Sequence, residues 1–345
     1  MNKPTDTNKM TYQNSGVDVV AGDALVDWLS SDDKPKMPHQ DRVVSGIGGF
    51  ASLFNFQFPE MKKPTLITCT DGVGTKVKLA SEFNDYSTVG QDLVGMCVND
   101  LICTGGRPLL FLDYYATSKL NLTHAQQFLE SVRKACIESD CNLVGGETAE
   151  MPGVYHGNDF DCAGFAVGVV DQENSIGPHK VSEGDVLLGV GSAGFHSNGF
   201  SLIRRLFEKD SSAYKKWLLE PTRLYVGMMK KLMAQFDVKA AAHITGGGID
   251  NIPRVIPAGK SVRLDAWNFT EPFIEAQKRS KLSDLEMMKT FNCGIGFVVI
   301  VNPDDADKVI ADIKAFGYAA QRVGHVVSDN YGEDRYRVFK NGVAL

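Results

Sequence analysis

The sequence predicts a mixed α+β protein of two domains, and three observations carry that expectation. Apolar, β-branched runs alternate with stretches of helical periodicity from about residue 65 onwards. A polar segment bearing Gly and Pro, QENSIGPHKVSEGD, follows Asp171 and breaks that alternation. A length of 345 residues is enough for each half to bury its own core. The expected units are 1–172, a ferredoxin-like sheet-and-helix domain, and 173–345, an α/β domain.

Residues 1–12 are polar and are expected to be mobile. In 17–29, Val17, Val20, Ala21, Ala24, Leu25 and Trp28 fall at helical spacing, which suits a packing helix. The stretch SSDDKPKMPHQDR (30–42) reads as a flexible surface loop. Residues 65–70 read as a strand and 88–104 as a helix, stopped by Gly105, Gly106 and Pro108. An apolar and aromatic strand covers 109–117. Thr123 is the expected N-cap of a helix to about Ser139, with Phe128, Leu129, Val132 and Cys136 on one side. Residues 141–144 and 162–170 read as strands. The second unit opens with a strand at 186–190. Helices are expected near 198–208, 222–235 and 249–255, then a strand at 294–301, a helix at 303–316 and closing segments at 319–327 and 335–339. No fixed-period repeat is present, which excludes a solenoid.

Charge and cysteine content narrow the function classes. With 36 basic and 42 acidic residues the formal net charge is −6, which argues against a general nucleic-acid binder. An acidic chain that handles phosphorylated ligands needs local help from a metal ion or backbone N–H groups. The 34 glycines fit such loops. The seven cysteines are odd in number and contain no C-x-x-C, as expected for reduced thiols in a cytoplasmic protein. The start MNKPTDTNKM has no apolar core of a signal peptide. The uncharged run 186–203 holds four glycines with His196 and Asn198, so it reads as strand, loop and helix start, with no membrane span.

Chemistry concentrates in a few motifs. Asp71-Gly72-Val73-Gly74-Thr75-Lys76 follows a strand directly: Asp71 can hold Mg²⁺, Lys76 can meet a phosphate, and a plain βα turn is the alternative. On the predicted helix 88–104, Asp92 and Asn99 share a side and Asp100 lies ~80° further round. Asn99 and Asp100 sit in the apolar run MCVNDLIC, where a carboxylate needs a partner such as Mg²⁺, unless that face is solvated. Gly145, Gly146 and Glu147 open GGETAE after a strand, with Glu147 a third candidate oxygen ligand. The metal set is then Asp71, Asp100 and Glu147. In the second unit His196, Ser197, Asn198 and Gly199 lie between a strand and a helix, and Thr245, Gly246, Gly247 and Gly248 precede a short helix. Both loops suit a substrate phosphate. His196 reads as a proton donor, a phosphate contact or a structural histidine, and His243 is less specific. Gly46 to Phe50, with Gly48 and Gly49, reads as a nucleotide-covering flap or a connector.

Together and in this order, the motifs resemble the phosphoribosylformylglycinamidine cyclo-ligase (aminoimidazole ribonucleotide synthetase) family. The matching stretches are YQNSGVDVVAGDALV, GGF, TDGVGTK, GQDLVGMCVNDL, FLDYYAT, LVGGETAEMPGVYHG, AGFAVGVV, HSNGFSLIR, PTRLYV, HITGGG with NIPRV, and FNCGIG, from Tyr12 to Gly296. DGVGTK and the following ND are shared with a wider ATP-using superfamily that includes thiamine-monophosphate kinase. The resemblance implies ATP-dependent closure of formylglycinamidine ribonucleotide to aminoimidazole ribonucleotide. It implies ATP and Mg²⁺ as cofactors, with Gly48, Gly49, Phe50, Asp71, Gly72, Thr75, Lys76, Asp100, Gly145, Gly146 and Glu147 at the nucleotide. Asp71, Lys76, Asp100 and His196 are the implied catalytic residues. It also implies a homodimer whose N-terminal domains pair their sheets, with ATP near that interface. The chain departs from the family at TGGGIDNIPR, which is one residue short and leaves the contact of Asp250 open. It also departs at Phe195, and at Leu29-Ser30-Ser31, where the family often has a lysine. A kinase of the same superfamily and a non-catalytic nucleotide-binding regulator are the rival readings.

Overall fold

The computed structural model describes residues 18–31 and 34–345. The expected mobility of 1–12, and the first matching stretch as far as Val17, lie outside the described residues. The elements in chain order are α1 (Val19–Leu29), β1 (Val43–Ser45), β2 (Leu53–Phe54), β3 (Pro64–Gly72), α2 (Lys76–Phe83), α3 (Val89–Ile102), β4 (Arg107–Thr117), α4 (Leu122–Glu138), β5 (Asn142–Glu150) and β6 (Phe160–Asp171). They continue with β7 (Val186–Gly191), α5 (Phe200–Phe207), α6 (Lys215–Leu219), α7 (Val226–Gln235), β8 (Ala240–His243), β9 (Ser261–Asp265), α8 (Glu271–Ser280), α9 (Asp284–Thr290), β10 (Ile295–Val301), α10 (Ala306–Ala315), β11 (Ala320–Val327), β12 (Tyr336–Lys340) and β13 (Val343–Ala344).

The fold class is the mixed α+β arrangement expected, with one main sheet in each half and a two-stranded β1-β2 ribbon ahead of the first. The first sheet runs β3-β6-β4-β5, with β4 and β5 parallel and the other pairs antiparallel. Helices α3 and α4 cover one face. The connectivity is strand, helices, strand, helix, strand, strand, whereas a ferredoxin-like unit places its second helix between the third and fourth strands. The ferredoxin-like label is therefore replaced. The second sheet runs β13-β12-β9-β11-β7-β10-β8. Its neighbouring strands β7 and β10 are buried along their whole length, as the apolar runs VLLGVG and IGFVVIV require.

Helix α3 explains how the halves join. It is buried on nearly every side because it packs on its own sheet, on α4 and on α7 and β8 of the other half. One apolar cluster includes Leu93, Val98 and Phe128 from the first half and Tyr225, Met228 and Phe297 from the second. A helix hydrophobic all round is a core helix. The amphipathic α4 buries Phe128, Leu129, Val132 and Cys136 on the expected side. Its cap is Asn121, whose side chain accepts the His124 N–H at 3.2 Å; Thr123 lies inside the helix.

Three further expectations change. GGETAE is strand, since β5 continues to Glu150 beside β4. The segment around residues 35–42 is pinned: Arg133 donates to Pro35 O at 3.2 Å and Asn142 to Pro38 O at 2.7 Å. Val20 on α1 points to solvent at 76% exposure, and the helix buries Leu25.

Candidate functional site

The site lies at the seam of the two halves, where β3, α3, β8 and two glycine-bearing loops meet. β3 delivers Asp71, whose Oδ1 accepts the Gly72 N–H at 2.7 Å. Gly74 follows at φ +68, the left-handed turn that only glycine adopts without strain. Thr75 Oγ1 lies 3.4 Å from Ser201 Oγ in the first turn of α5, so the turn faces the second half. Burial pushes the Asp71 carboxyl above the usual carboxylate range, and the charge of Asp100 adds to the rise.

Asp100 ends α3 with its side chain 45% exposed, and its Oδ1 accepts from His243 Nδ1 at 2.8 Å. His243 is buried at the end of β8, paired across from Phe297 of β10. Asp71 and Asp100 are near enough for their charges to act on each other, and Asp100 keeps access to solvent. No cluster of three or more ligating side chains exists among the described residues. Two carboxylates plus phosphate oxygens are nevertheless a usual set for Mg²⁺, so these two residues fit that ion in a nucleotide complex.

The two loops adjoin. A Cβ built on Gly246 would lie 3.8 Å from Asn198 Oδ1. Asn198 Nδ2 also approaches Met96 Sδ of α3 at 3.9 Å. Two buried asparagines shape the loops: Asn292 donates to Gly194 O at 3.0 Å, and Asn251 donates to Gly246 O at 3.2 Å and Gly248 O at 2.8 Å. Gly247 has φ +89, and a Cβ there would meet Asp250 Cβ at an ordinary 3.8 Å. Asp250, left open by the sequence, accepts from the Tyr336 hydroxyl.

Several expected site residues stand elsewhere. The Lys76 side chain is fully buried. Its Nζ lies 2.7 Å from Asp92 Oδ2 and donates to the carbonyls of His196 at 3.0 Å and Glu220 at 2.7 Å. Burial pushes the Lys76 amine down and the Asp92 carboxyl up, against their mutual attraction. This amine holds the halves together and reaches no phosphate in this arrangement. Asp92 Oδ1 accepts from Thr222 N–H at 2.8 Å, and Asn99 bonds Arg223 O and Tyr225 N–H, so the buried polar face of α3 finds protein partners, with no metal required. His196 is also enclosed, at φ +58 and 0% exposed. Its ring lies beneath the loop, out of reach of a ligand resting on it, and burial holds it well below the usual imidazole range, with nearby positive charge adding. Ser197 is buried with it, while Gly199 is half-buried at the head of α5.

Glu147, Gly145 and Gly146 occupy the far edge of the first sheet. The register runs Asp71, Gly164, Asp113, Gly146 across all four strands. At ~4.8 Å per strand step, Asp71 and Gly146 are ~14 Å apart. One ion cannot bind Asp71, Asp100 and Glu147 together within this chain. Gly145 and Gly146 instead line a cavity of 650 Å³ with Gly48, Gly49, Phe50 and Asp23. Gly146 is there because of Asp113: a Cβ would sit 2.3 Å from Asp113 Oδ1. Asp113 is buried and its carboxyl is pushed up to about 7. Sequence reasoning missed Asp113, Asn251 and Asn292. The signal was present in Asp113 and Asn292, polar residues set in the apolar strings FLDYY and FNCG.

All seven cysteines are free thiols, and no helix among the described residues is long and apolar enough to cross a membrane. Burial pushes the Cys69 thiol up to about 12, so it is inert at neutral pH.

Comparison with known proteins gives matches over most of the chain. Residues 51–170 match the family described as AIR synthase related protein, N-terminal domain, and residues 182–337 match its C-terminal domain. Among solved structures, thiamine-monophosphate kinase from Stenotrophomonas maltophilia K279a is similar with a TM-score of 0.64 and 18% identity, covering 89% of this chain and 93% of that one. The hydrogenase maturation protein HypE in complex with ATP is similar with a TM-score of 0.65 and 16% identity, covering 86% and 87%. HypE from E. coli gives 0.62 and 16%, covering 95% and 96%. At these identities the likeness establishes the shared fold.

Proposed function

We propose, from a chain that belongs to the AIR synthase-related superfamily, that it closes formylglycinamidine ribonucleotide to aminoimidazole ribonucleotide with ATP. One observation supports this above the rest. Motifs that set the cyclo-ligase apart in sequence, HSNG and TGGG, adjoin at Asn198 and Gly246, and His243 of the same HITGGG string bonds Asp100 of the superfamily-wide ND.

The reaction needs alignment and charge neutralisation more than a protein nucleophile. The formyl oxygen takes the γ-phosphoryl group of ATP to give an iminophosphate and ADP. The ribose-bearing nitrogen then attacks the activated carbon and gives up its proton, the carbon–oxygen bond breaks, and phosphate leaves. Asp71 and Asp100 would hold Mg²⁺, which neutralises the β,γ-phosphate charge when bound. The free N–H groups around Gly246–Gly247 and at the head of α5 would hold the phosphate of the ribonucleotide. The buried floor of Asn251, Asn292 and His196 fixes those loops. A homodimer is part of the proposal, because the flap and β5 edge lie far from Asp71 within one chain.

The test is phosphate release with each substrate. Release that needs both ATP and formylglycinamidine ribonucleotide, with the aminoimidazole product formed, is the expected result. Turnover with thiamine monophosphate and none with the ribonucleotide would assign the kinase reading instead. Asp100→Asn should fold normally and lose most turnover together with its Mg²⁺ dependence.

A further inference from the structure

We propose that a separate cavity at the seam of the two halves binds a small arylalkyl ammonium ion, its charge held by Asp171 and its ring by methionine side chains. The cavity measures 360 Å³, within the range of about 300–1,000 Å³ usual for small-molecule sites. It shares no lining residue with the flap cavity or with the loops at 192–199 and 245–248. Its apolar wall is Met61, Ile102 and Val169 from the first half and Val226, Met229 and Met233 from α7 of the second. Half of that wall is methionine, whose flexible, polarisable thioether adapts to a guest and favours contact with an aromatic ring.

Charge selects the class of guest. The ionisable side chains lining the cavity are Glu60, Asp140 and Asp171 against Arg107 and Lys230. Both cations are already engaged, Arg107 with Glu60 and Lys230 with Asp140 at 2.9 Å. Asp171, at the end of β6, is left as the one lining acid with no cationic side chain on it among the described residues. It is only 8% exposed. Its Oδ2 accepts the Lys62 N–H at 3.0 Å, and its Oδ1 accepts the N–H groups of Lys63 at 3.2 Å and Glu173 at 3.4 Å. The amines of Lys62 and Lys63 turn instead to Glu173, at 3.1 and 3.7 Å. The backbone donors, Lys62 foremost, hold the Asp171 carboxyl below the usual carboxylate range, so it is an anion at neutral pH. A carboxylate offers about four acceptor sites, and three are taken by backbone N–H groups. One donor more completes it, and a charged donor makes the stronger bond. An ammonium group supplies that donor and balances the enclosed charge. A carboxylate or phosphate guest would meet three acids, and a neutral guest would leave Asp171 uncompensated.

The site stands independently of the ribonucleotide reaction, and its test needs no turnover. The probes are phenethylamine, its neutral analogue 2-phenylethanol and the anion 3-phenylpropionate. Full-length protein carrying ¹³C-methyl methionine is titrated with each, the signals of Met61, Met229 and Met233 being assigned with the three Met→Leu variants. Phenethylamine should shift all three signals and raise the Tm, since it binds the folded state at walls drawn from both halves. The alcohol should bind about tenfold more weakly or worse, and the carboxylate should move none of the three. Met233→Trp, which fills the cavity, should abolish binding of the amine. Asp171→Asn should bring amine and alcohol to similar affinities. Methionine signals unmoved by millimolar phenethylamine, equal binding of amine and carboxylate, or amine binding kept in folded Met233→Trp overturns the site. A preference for the amine that survives in folded Asp171→Asn overturns the role of Asp171. If Asp171→Asn does not fold, the ranking of the three probes on the wild type decides.

Discussion

Lys76 sits where a phosphate-binding lysine is expected, yet its amine is spent on Asp92 and on the carbonyls of His196 and Glu220. Its neighbours come from both halves, so the residue behaves as a clamp. Removing one partner strands a charge in a site with no water access. Lys76→Ala or Asp92→Asn should therefore destabilise the protein by about 3–5 kcal/mol, while a well-packed Lys76→Met, Asp92→Leu double variant should recover much of that loss. Urea unfolding of the two single variants and the double variant checks this. Additive losses would mean the pair is not coupled. The separation of these partners explains why the sequence hid them. Thr222 and Asp92 are 130 residues apart, and Asp100 and His243 are 143 apart. Spacing along a helix showed that Asp92 and Asn99 share a side, but not that the facing surface belongs to the other half.

The elements legible in the sequence were those with strong local signals. The apolar run of α3, the period of α4, and the β-branched β7 and β10 were read within a few residues. β8, AAAH, was missed because alanine favours helix, and only its place against β10 makes it a strand. β5 was cut short because glycines in GGETAE read as a loop, whereas Asp113 beneath Gly146 requires the missing side chain. The two loop glycines of TGGG separate in the same way. Gly247→Ala makes only an ordinary contact with Asp250 and should cost about 1 kcal/mol from its left-handed backbone. Gly248→Ala would place a Cβ 1.9 Å from Met288 O and should cost about 3 kcal/mol. Calorimetric Tm values for both variants test the contrast, and equal losses would refute it. Asp113 on β4 gives a pH signature. Its folded carboxyl keeps a proton up to about 7, against ~3.9 when unfolded. Its favourable contribution is thus full below about pH 4 and is lost as pH rises through about 7. Asp113→Asn should leave stability similar at about pH 4 and raise it by on the order of 2–4 kcal/mol at about pH 8. A wild-type stability curve that does not fall over this range would contradict the assignment.

At the scale of the molecule, the described residues leave much of one face of the first sheet open, apart from the patch where Phe58 packs on Val169. α3 and α4 take one side, and on the other Leu66 is 55% and Phe165 44% exposed, with Thr68 and Thr70 between them. Thr70 pairs across from Phe165, and Phe165 from Leu112, so these side chains form one continuous row. The flap adds Phe50, fully exposed, and Leu53 at 58%. An exposed apolar sheet face of this kind marks an interaction site. The proposed second copy of the chain would cover it and would also account for proposed nucleotide residues that stand apart within one chain. A dimer related by a two-fold axis can lay the flap and β5 edge of one protomer toward the Asp71 edge of its partner, which a single chain cannot do across ~14 Å. Phe165→Glu should then give a monomer by light scattering, with thermal stability otherwise kept, because the residue touches no core of its own chain. If nucleotide binding needs both edges, the same variant should lose ATP affinity by about tenfold or more in calorimetric titration, although it lies outside the Asp71 and Asp100 pair. A monomer that binds ATP as tightly as the wild type would separate the two ideas, leaving the dimer intact and returning the flap to a structural connector.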